Sequence, residues 1–134
     1  MSNEPKMKQA MQAYIDLYNK DDLDGVVGLY ADDATVEDPV GTPLKKGRAA
    51  IKDFYAYAMK TGARLSLSAP IRGSHGNSAA MAFDVTLNMP EGRMIIRVID
   101  AMTFNDAGKF TSMRAFWGPS DMEKFPAGKA KVAA

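Results

Sequence analysis

Residues 81–104, MAFDVTLNMPEGRMIIRVIDAMTF, hold two alternating runs joined at Pro90-Glu91-Gly92. In the first run Met81, Phe83, Val85, Leu87 and Met89 share one face, and Ala82, Asp84, Thr86 and Asn88 the other. A period of two belongs to extended chain, and a Pro- and Gly-containing break between two such runs predicts an antiparallel hairpin. The pattern continues on both sides. Leu65, Leu67 and Ala69 alternate with Arg64, Ser66 and Ser68, a turn falls at 73–78, and a second turn at 105–108 precedes a last strand over 110–117. Upstream of Gly62 the period is instead 3.6. Met7, Met11, Tyr14, Ile15 and Tyr18 form one helical stripe, Leu23, Val26, Val27 and Tyr30 a second, and Ile51, Phe54, Tyr55 and Ala58 a third. A short strand is expected at 35–38 and a loop at 41–47. Helices followed by strands predict an α+β fold, three N-terminal helices on one face of a mostly antiparallel sheet. Residues 1–134 form one expected domain, with the tail from 119, ending GKAKVAA, frayed.

Composition narrows the function classes. Of 134 residues 46% are apolar and 25% charged, with a formal net charge of +1, as in a folded globule rather than a disordered chain. No basic block supports nucleic-acid binding. Without cysteine there are no disulfides and no thiolate chemistry, and with one histidine, His75 in a Gly/Ser/Asn turn, no metal site is expected. The chain shows no signal peptide and no segment of transmembrane length, so a cytoplasmic protein without membrane contact is expected. The ten methionines are read as core filler, and Lys45-Lys46 as a solvated loop.

The second run of the hairpin holds an anomaly. One face carries Arg93, Ile95, Arg97, Ile99, Ala101 and Thr103; the other carries Met94, Ile96, Val98, Asp100, Met102 and Phe104. Asp100 is the only polar residue on its face, whereas Asp84 lies on the polar face of its own strand. A buried carboxylate is costly unless paired, and Arg93 and Arg97 point the opposite way. Burial favours the protonated acid, which donates a hydrogen bond where a carboxylate cannot. Tyr14, inward from the first helix, is a second donor in need of an acceptor.

Residues 30–41, YADDATVEDPVG, supply the complementary group. Proline disfavours the α conformation for the residue before it, so Asp38 is held in extended backbone, and Gly41 lets the chain turn soon after. A carboxylate on a stiff mount beside a loop suits a general base. A base with two donors for an oxyanion can remove a carbon-bound proton and stabilise the enolate that results.

YADDATVEDPVG, the helical Tyr14, the strand VIDAMTF at 98–104 and AFWG at 115–118 together resemble the bacterial Δ5-3-ketosteroid isomerases. The likeness runs from about Lys8 to Trp117. It implies that Asp38 carries a proton from C4 to C6 of a 3-oxo-Δ5-steroid while Tyr14 and protonated Asp100 hold the C3 oxygen. Tyr30 and Tyr55 would hydrogen-bond in series behind Tyr14, and Trp117 would lie near the base. Phe54, Met81, Phe83 and Trp117 are the expected substrate contacts. The resemblance further implies a conical fold like that of nuclear transport factor 2, a curved sheet, a deep apolar pocket, no cofactor, and a homodimer. Arg97, Ile95 and Ile99 on the mixed face are the expected dimer contacts. Two other functions fit such a fold: a hydrolase, dehydratase or cyclase on another apolar substrate, and a non-catalytic module that binds an apolar ligand.

Overall fold

A computed structural model describes residues 3–127 of the chain. Helix α1 spans Glu4–Asn19, α2 Leu23–Val27 and α3 Arg48–Lys60. The strands are β1 Tyr30–Glu37, β2 Lys45–Lys46, β3 Arg64–Leu67, β4 Ser78–Met89, β5 Gly92–Phe104, β6 Phe110–Phe116 and β7 Met122–Pro126. They form one sheet in the order β2-β1-β6-β5-β4-β3, with β7 added to β5. All pairings are antiparallel except β1 with β6. Register shifts between Tyr30 and Thr35, and between Thr103 and Phe104, interrupt two ladders; such irregularities bend strands, and the sheet curves around the helices.

The helical stripes are buried as their spacing requires. Met7, Met11, Tyr14, Ile15 and Tyr18 of α1 and Ile51 and Tyr55 of α3 pack on Met81, Phe83, Met102, Phe104, Phe110 and Met113 of the sheet. Asp22 caps α2 by accepting from the Gly25 N–H (2.9 Å). The expected hairpin is present: Met89 faces Gly92 across a two-residue loop, and β4 and β5 stay in register for their whole length.

Three local expectations change. The second helix ends at Val27, and Tyr30 instead begins β1, fully buried. Gly28 closes that helix, and the buried first residue of the next strand happens to extend its spacing. Strand β1 is twice the expected length, and residues 41–47 include β2, whose Lys45 and Lys46 pair with Val36 and Thr35. The tail from 119 is ordered as far as described. Pro119–Asp121 form a 3-10 turn, and β7 then pairs with residues 92–96 of β5. The cause lies in β5, because β6 covers only residues 99–104 of that edge. The remaining backbone groups would stay open without β7. The segment GKAKVAA falls outside the described residues.

Candidate active site

Between the helices and the inner face of the sheet lies a cavity of about 310 Å³, within the range of small-molecule sites. Helix α1 contributes Tyr14 and Tyr18, four residues apart and so on one face. Helix α3 contributes Phe54, Tyr55 and Ala58. The inward positions of three strands add Leu65, then Phe83, Val85 and Leu87, then Ile96, Val98 and Asp100. Asp38 follows β1 and Trp117 follows β6. The wall is apolar apart from a few hydroxyls, an indole and two carboxyl groups.

Asp38 is held from its backbone and from its side chain. The Asp38–Pro39 peptide is cis. The Val40 N–H donates to the Ala115 carbonyl (2.8 Å), and the Thr42 N–H and hydroxyl both donate to the Pro39 carbonyl. Gly41 makes the turn at φ 103°, a conformation that glycine adopts readily. The Trp117 Nε1–H donates to Asp38 Oδ1 (2.9 Å) and aims the carboxylate. Burial raises the pKa of Asp38; the Trp117 hydrogen bond and the Lys45 charge pull partly the other way. Lys45 therefore does more than the solvated residue the sequence suggests, and its ammonium also lies 5.1 Å from the centre of the Phe54 ring.

Asp100 is 1% exposed, and neither carboxyl oxygen has a hydrogen-bond partner. Its ladder neighbours are Met81 and Ala115, both apolar. Burial above all, and then the charge of Asp38, push its pKa well above the usual range, so the group is a neutral acid with a proton to donate.

The tyrosines form a chain. The Tyr55 hydroxyl donates to that of Tyr14 (3.0 Å), and the hydroxyls of Tyr30 and Tyr55 lie 2.5 Å apart. A tyrosine has one proton to give, so Tyr30 donates to Tyr55, and Tyr14 keeps its own proton for the cavity. Burial first, and then Asp100 nearby, push the Tyr14 pKa well above its ordinary value, so Tyr14 stays a donor. Each bond in such a chain polarises the next.

The structure thus brings Tyr14, Asp38, Asp100, Tyr55, Phe54, Phe83 and Trp117 to one cavity. Tyr30 stands behind Tyr55, off the wall. Met81 is not in the wall either: it is buried in the core, across the ladder from Asp100. Tyr18, Ala58, Leu65, Val85, Leu87 and Ile96 line the cavity and were not singled out as contacts, although the same alternation and helical spacing place all of them inward. Among the described residues no three His, Asp or Glu are grouped to hold a metal ion, and no helix is long and apolar enough to cross a membrane. A larger, open hollow of about 750 Å³ lies against the outer face, beside Asp84, Arg97, Ile99 and Phe116. Its Asp84 is ion-paired with Arg97, and its Asp121 accepts from the Gly118 N–H.

Comparison with known proteins bears on the fold and the family. Residues 11–113 match the SnoaL-like domain. A steroid Delta-isomerase of Nocardioides simplex is 40% identical over 122 residues, covering 91% of this chain and 98% of that protein. Epoxide hydrolase LasB of Streptomyces lasalocidi is 30% identical over 125 residues, and the matched region spans 44% of its length. Among solved structures, the epoxide hydrolase/cyclase-like enzyme SalBIII, described for its role in pyran ring formation in the polyether salinomycin, superposes with a TM-score of 0.86 at 30% identity. That match covers 93% of this chain and all of SalBIII. The chain belongs to the SnoaL-like family, with the nuclear transport factor 2-like fold, and is a homologue of a steroid isomerase.

Proposed function

We propose that the protein is a steroid Δ-isomerase that moves a carbon–carbon double bond of a 3-oxosteroid from Δ5 to Δ4. The Asp38 carboxylate removes a proton from C4, and the electron pair of that C–H bond shifts to make a dienolate with its charge on the C3 oxygen. Tyr14 and neutral Asp100 donate to that oxygen, and their bonds strengthen as charge develops there. Asp38, now protonated, returns the proton to C6; the double bond ends between C4 and C5, and the carboxylate is regenerated. The chemistry is proton transfer alone and calls for no cofactor. The observation that carries the proposal is Asp100, an acid with both oxygens unpartnered in the apolar wall that also holds the base. The identity with the Nocardioides isomerase supports the same substrate class. The test is ultraviolet absorbance after adding a Δ5-3-oxosteroid. A conjugated enone should grow in with enzyme-dependent kinetics, and a rate no faster than buffer alone overturns the proposal.

The LasB and SalBIII likenesses favour a second reading, in which the same pair opens an epoxide. Asp38 would take a proton from an attacking hydroxyl while Asp100 gives one to the epoxide oxygen. The tyrosine chain favours the isomerase, since it supplies a second donor beside Asp100 for an oxygen that becomes fully charged. Turnover of an epoxide-bearing polyether precursor, with no isomerisation of the steroid, would reverse the order of the two readings.

The proposal includes a homodimer formed through the outer sheet face. Ile99 and Phe116 are ladder neighbours there, 51% and 42% exposed. An apolar pair beside Arg97 suits a protein contact better than water. Sedimentation at micromolar concentration should give twice the subunit mass, and a monomer alone would refute the dimer.

A further inference from the structure

One hydroxyl of the cavity is not used by the mechanism. Tyr18 lies one helical turn beyond Tyr14, about 6 Å along α1, towards the end where Arg64 and Asp21 form a surface ion pair. Tyr18 is 4% exposed, and its ring packs edge-on against Tyr55 at 6.4 Å. Among the described residues no hydrogen bond engages its hydroxyl, which nevertheless keeps some accessible surface, unlike the sealed oxygens of Asp100. Tyr18 lines the cavity, so a ligand there is where that hydroxyl can find a partner.

The other polar groups of the wall are committed. Tyr55 donates to Tyr14, and the Trp117 N–H to Asp38. The Thr61 hydroxyl donates to the Ala58 carbonyl and accepts from the Ala63 N–H. Tyr57 is 75% exposed, and solvent serves it. In the proposed mechanism Tyr14 and Asp100 are taken by the C3 oxygen and Asp38 by the proton it carries from C4 to C6. An apolar ligand that fills the cavity strips water from the Tyr18 hydroxyl and offers nothing in return, which disfavours binding.

We infer that Tyr18 is a specificity residue, whose hydroxyl bonds a second oxygen on the half of the steroid away from C3, so that the cavity prefers steroids oxygenated at both ends. The inference deepens the isomerase proposal and rests on it for the placement of C3. Burial above all, with Asp21 and Asp38 adding and Arg64 opposing, pushes the Tyr18 pKa up to about 12. The hydroxyl keeps its proton at neutral pH and can donate to a ketone or accept from an alcohol.

The test compares androst-5-ene-3,17-dione with androst-5-en-3-one, which lacks the distal oxygen, in wild type and Tyr18→Phe. Phenylalanine keeps the ring contact with Tyr55, and the deoxy steroid controls for any general loss. The ratio of kcat/KM for the dione to that for the deoxy steroid should fall roughly three- to tenfold in the variant, as for one neutral hydrogen bond. The change should lie in KM rather than kcat. An unchanged ratio overturns the assignment. If wild type isomerises neither steroid, the isomerase reading fails by itself, and the Tyr18 assignment is decided by binding. Equilibrium binding of the corresponding 4-ene products should show the same change in ratio, and an unchanged ratio, or no binding of either product to wild type, overturns it.

Discussion

Asp84 and Asp100 sit on facing strands of one hairpin and on opposite faces of the sheet. Asp84 meets Arg97 directly across the ladder and forms an ion pair with it at 3.1 Å, in partial contact with solvent. Asp100 meets Met81 across the same ladder and bonds to nothing. A fold needs only the first arrangement. The second removes a titratable group from water without compensation, a cost that packing cannot explain and that a site for developing negative charge can. The lesson is local: a carboxyl group is read by the face it occupies, and one step along a strand reverses that reading.

The largest expected effect tests Asp38, the proposed base, which lines the same cavity as Asp100. Asp38→Asn keeps size and the Trp117 contact but has no lone pair basic enough to take a proton. Turnover should fall by about two to four powers of ten, the scale of a lost general base. Binding of a 4-ene-3-oxosteroid product should change little. A variant isomerising at near wild-type rate leaves the mechanism without a base.

Next come the donors, where the two aspartates should part company. Tyr14→Phe and Asp100→Leu should each lower kcat by about two to three powers of ten, as for oxyanion donors elsewhere. Asp84→Asn, on the outer face, should leave kcat within a few-fold of wild type. Tyr55→Phe breaks the chain one step back and should cost less than Tyr14→Phe. Steady-state kinetics on all four variants decides the order, and equal losses at Asp84 and Asp100 would erase the comparison.

A smaller effect belongs to the pH profile. In the proposed mechanism Asp38 must be ionised, and burial raises its pKa, so the acid limb of kcat/KM should lie at a higher pH than a solvated aspartate would give. The Trp117 hydrogen bond opposes that rise, so Trp117→Phe should move the acid limb to higher pH. The limb staying in place, or moving down, would show that the indole does not tune the base.

Much of this was legible in the sequence because burial follows period. The alternation over 81–104 indicated the hairpin and the isolation of Asp100, and helical spacing indicated the inward tyrosines. The ends of elements were less legible. Tyr30 continued a helical stripe yet begins a strand, because both settings bury it. Residues 122–126 look like a polar tail, and only the bare edge of β5, a property of the assembled sheet, makes them a strand. Met81 shows the limit at the site: alternation gives the inner face, but only the curvature of the sheet decides which inward residues border the cavity. Likewise Lys45 acts on the charge of Asp38 from β2, a short strand that no local pattern announces.

The smallest effects concern stability without ligand, and here the two aspartates should have opposite signs. Burial raises the pKa of Asp100 in the folded protein above its unfolded value. Between those two values the unfolded chain binds fewer protons, so stability falls as pH rises from the unfolded pKa through the folded one. Wild type is thus least burdened in acid, and each unit of upward shift costs about 1.4 kcal/mol once pH exceeds both values. Asp100→Asn has no proton to lose, so relative to wild type it should gain stability from pH 4 to pH 7, even as activity falls. Asp84→Asn should instead lose stability, because it weakens the pair with Arg97. That arginine is 46% exposed in its side chain, and exposed pairs contribute only about 0.2–1 kcal/mol, less in salt. Denaturant unfolding at both pH values and at low and high salt separates the two; the subunit concentration is matched, since the proposed dimer would enter the apparent stability. An Asp100→Asn variant with no relative gain at pH 7 would mean that Asp100 is not a strained neutral acid. A loss of several kcal/mol in Asp84→Asn would mean that the proposed dimer contact seals the pair itself from water, and the contrast between a pair at the solvated rim of that contact and a buried lone acid would no longer hold.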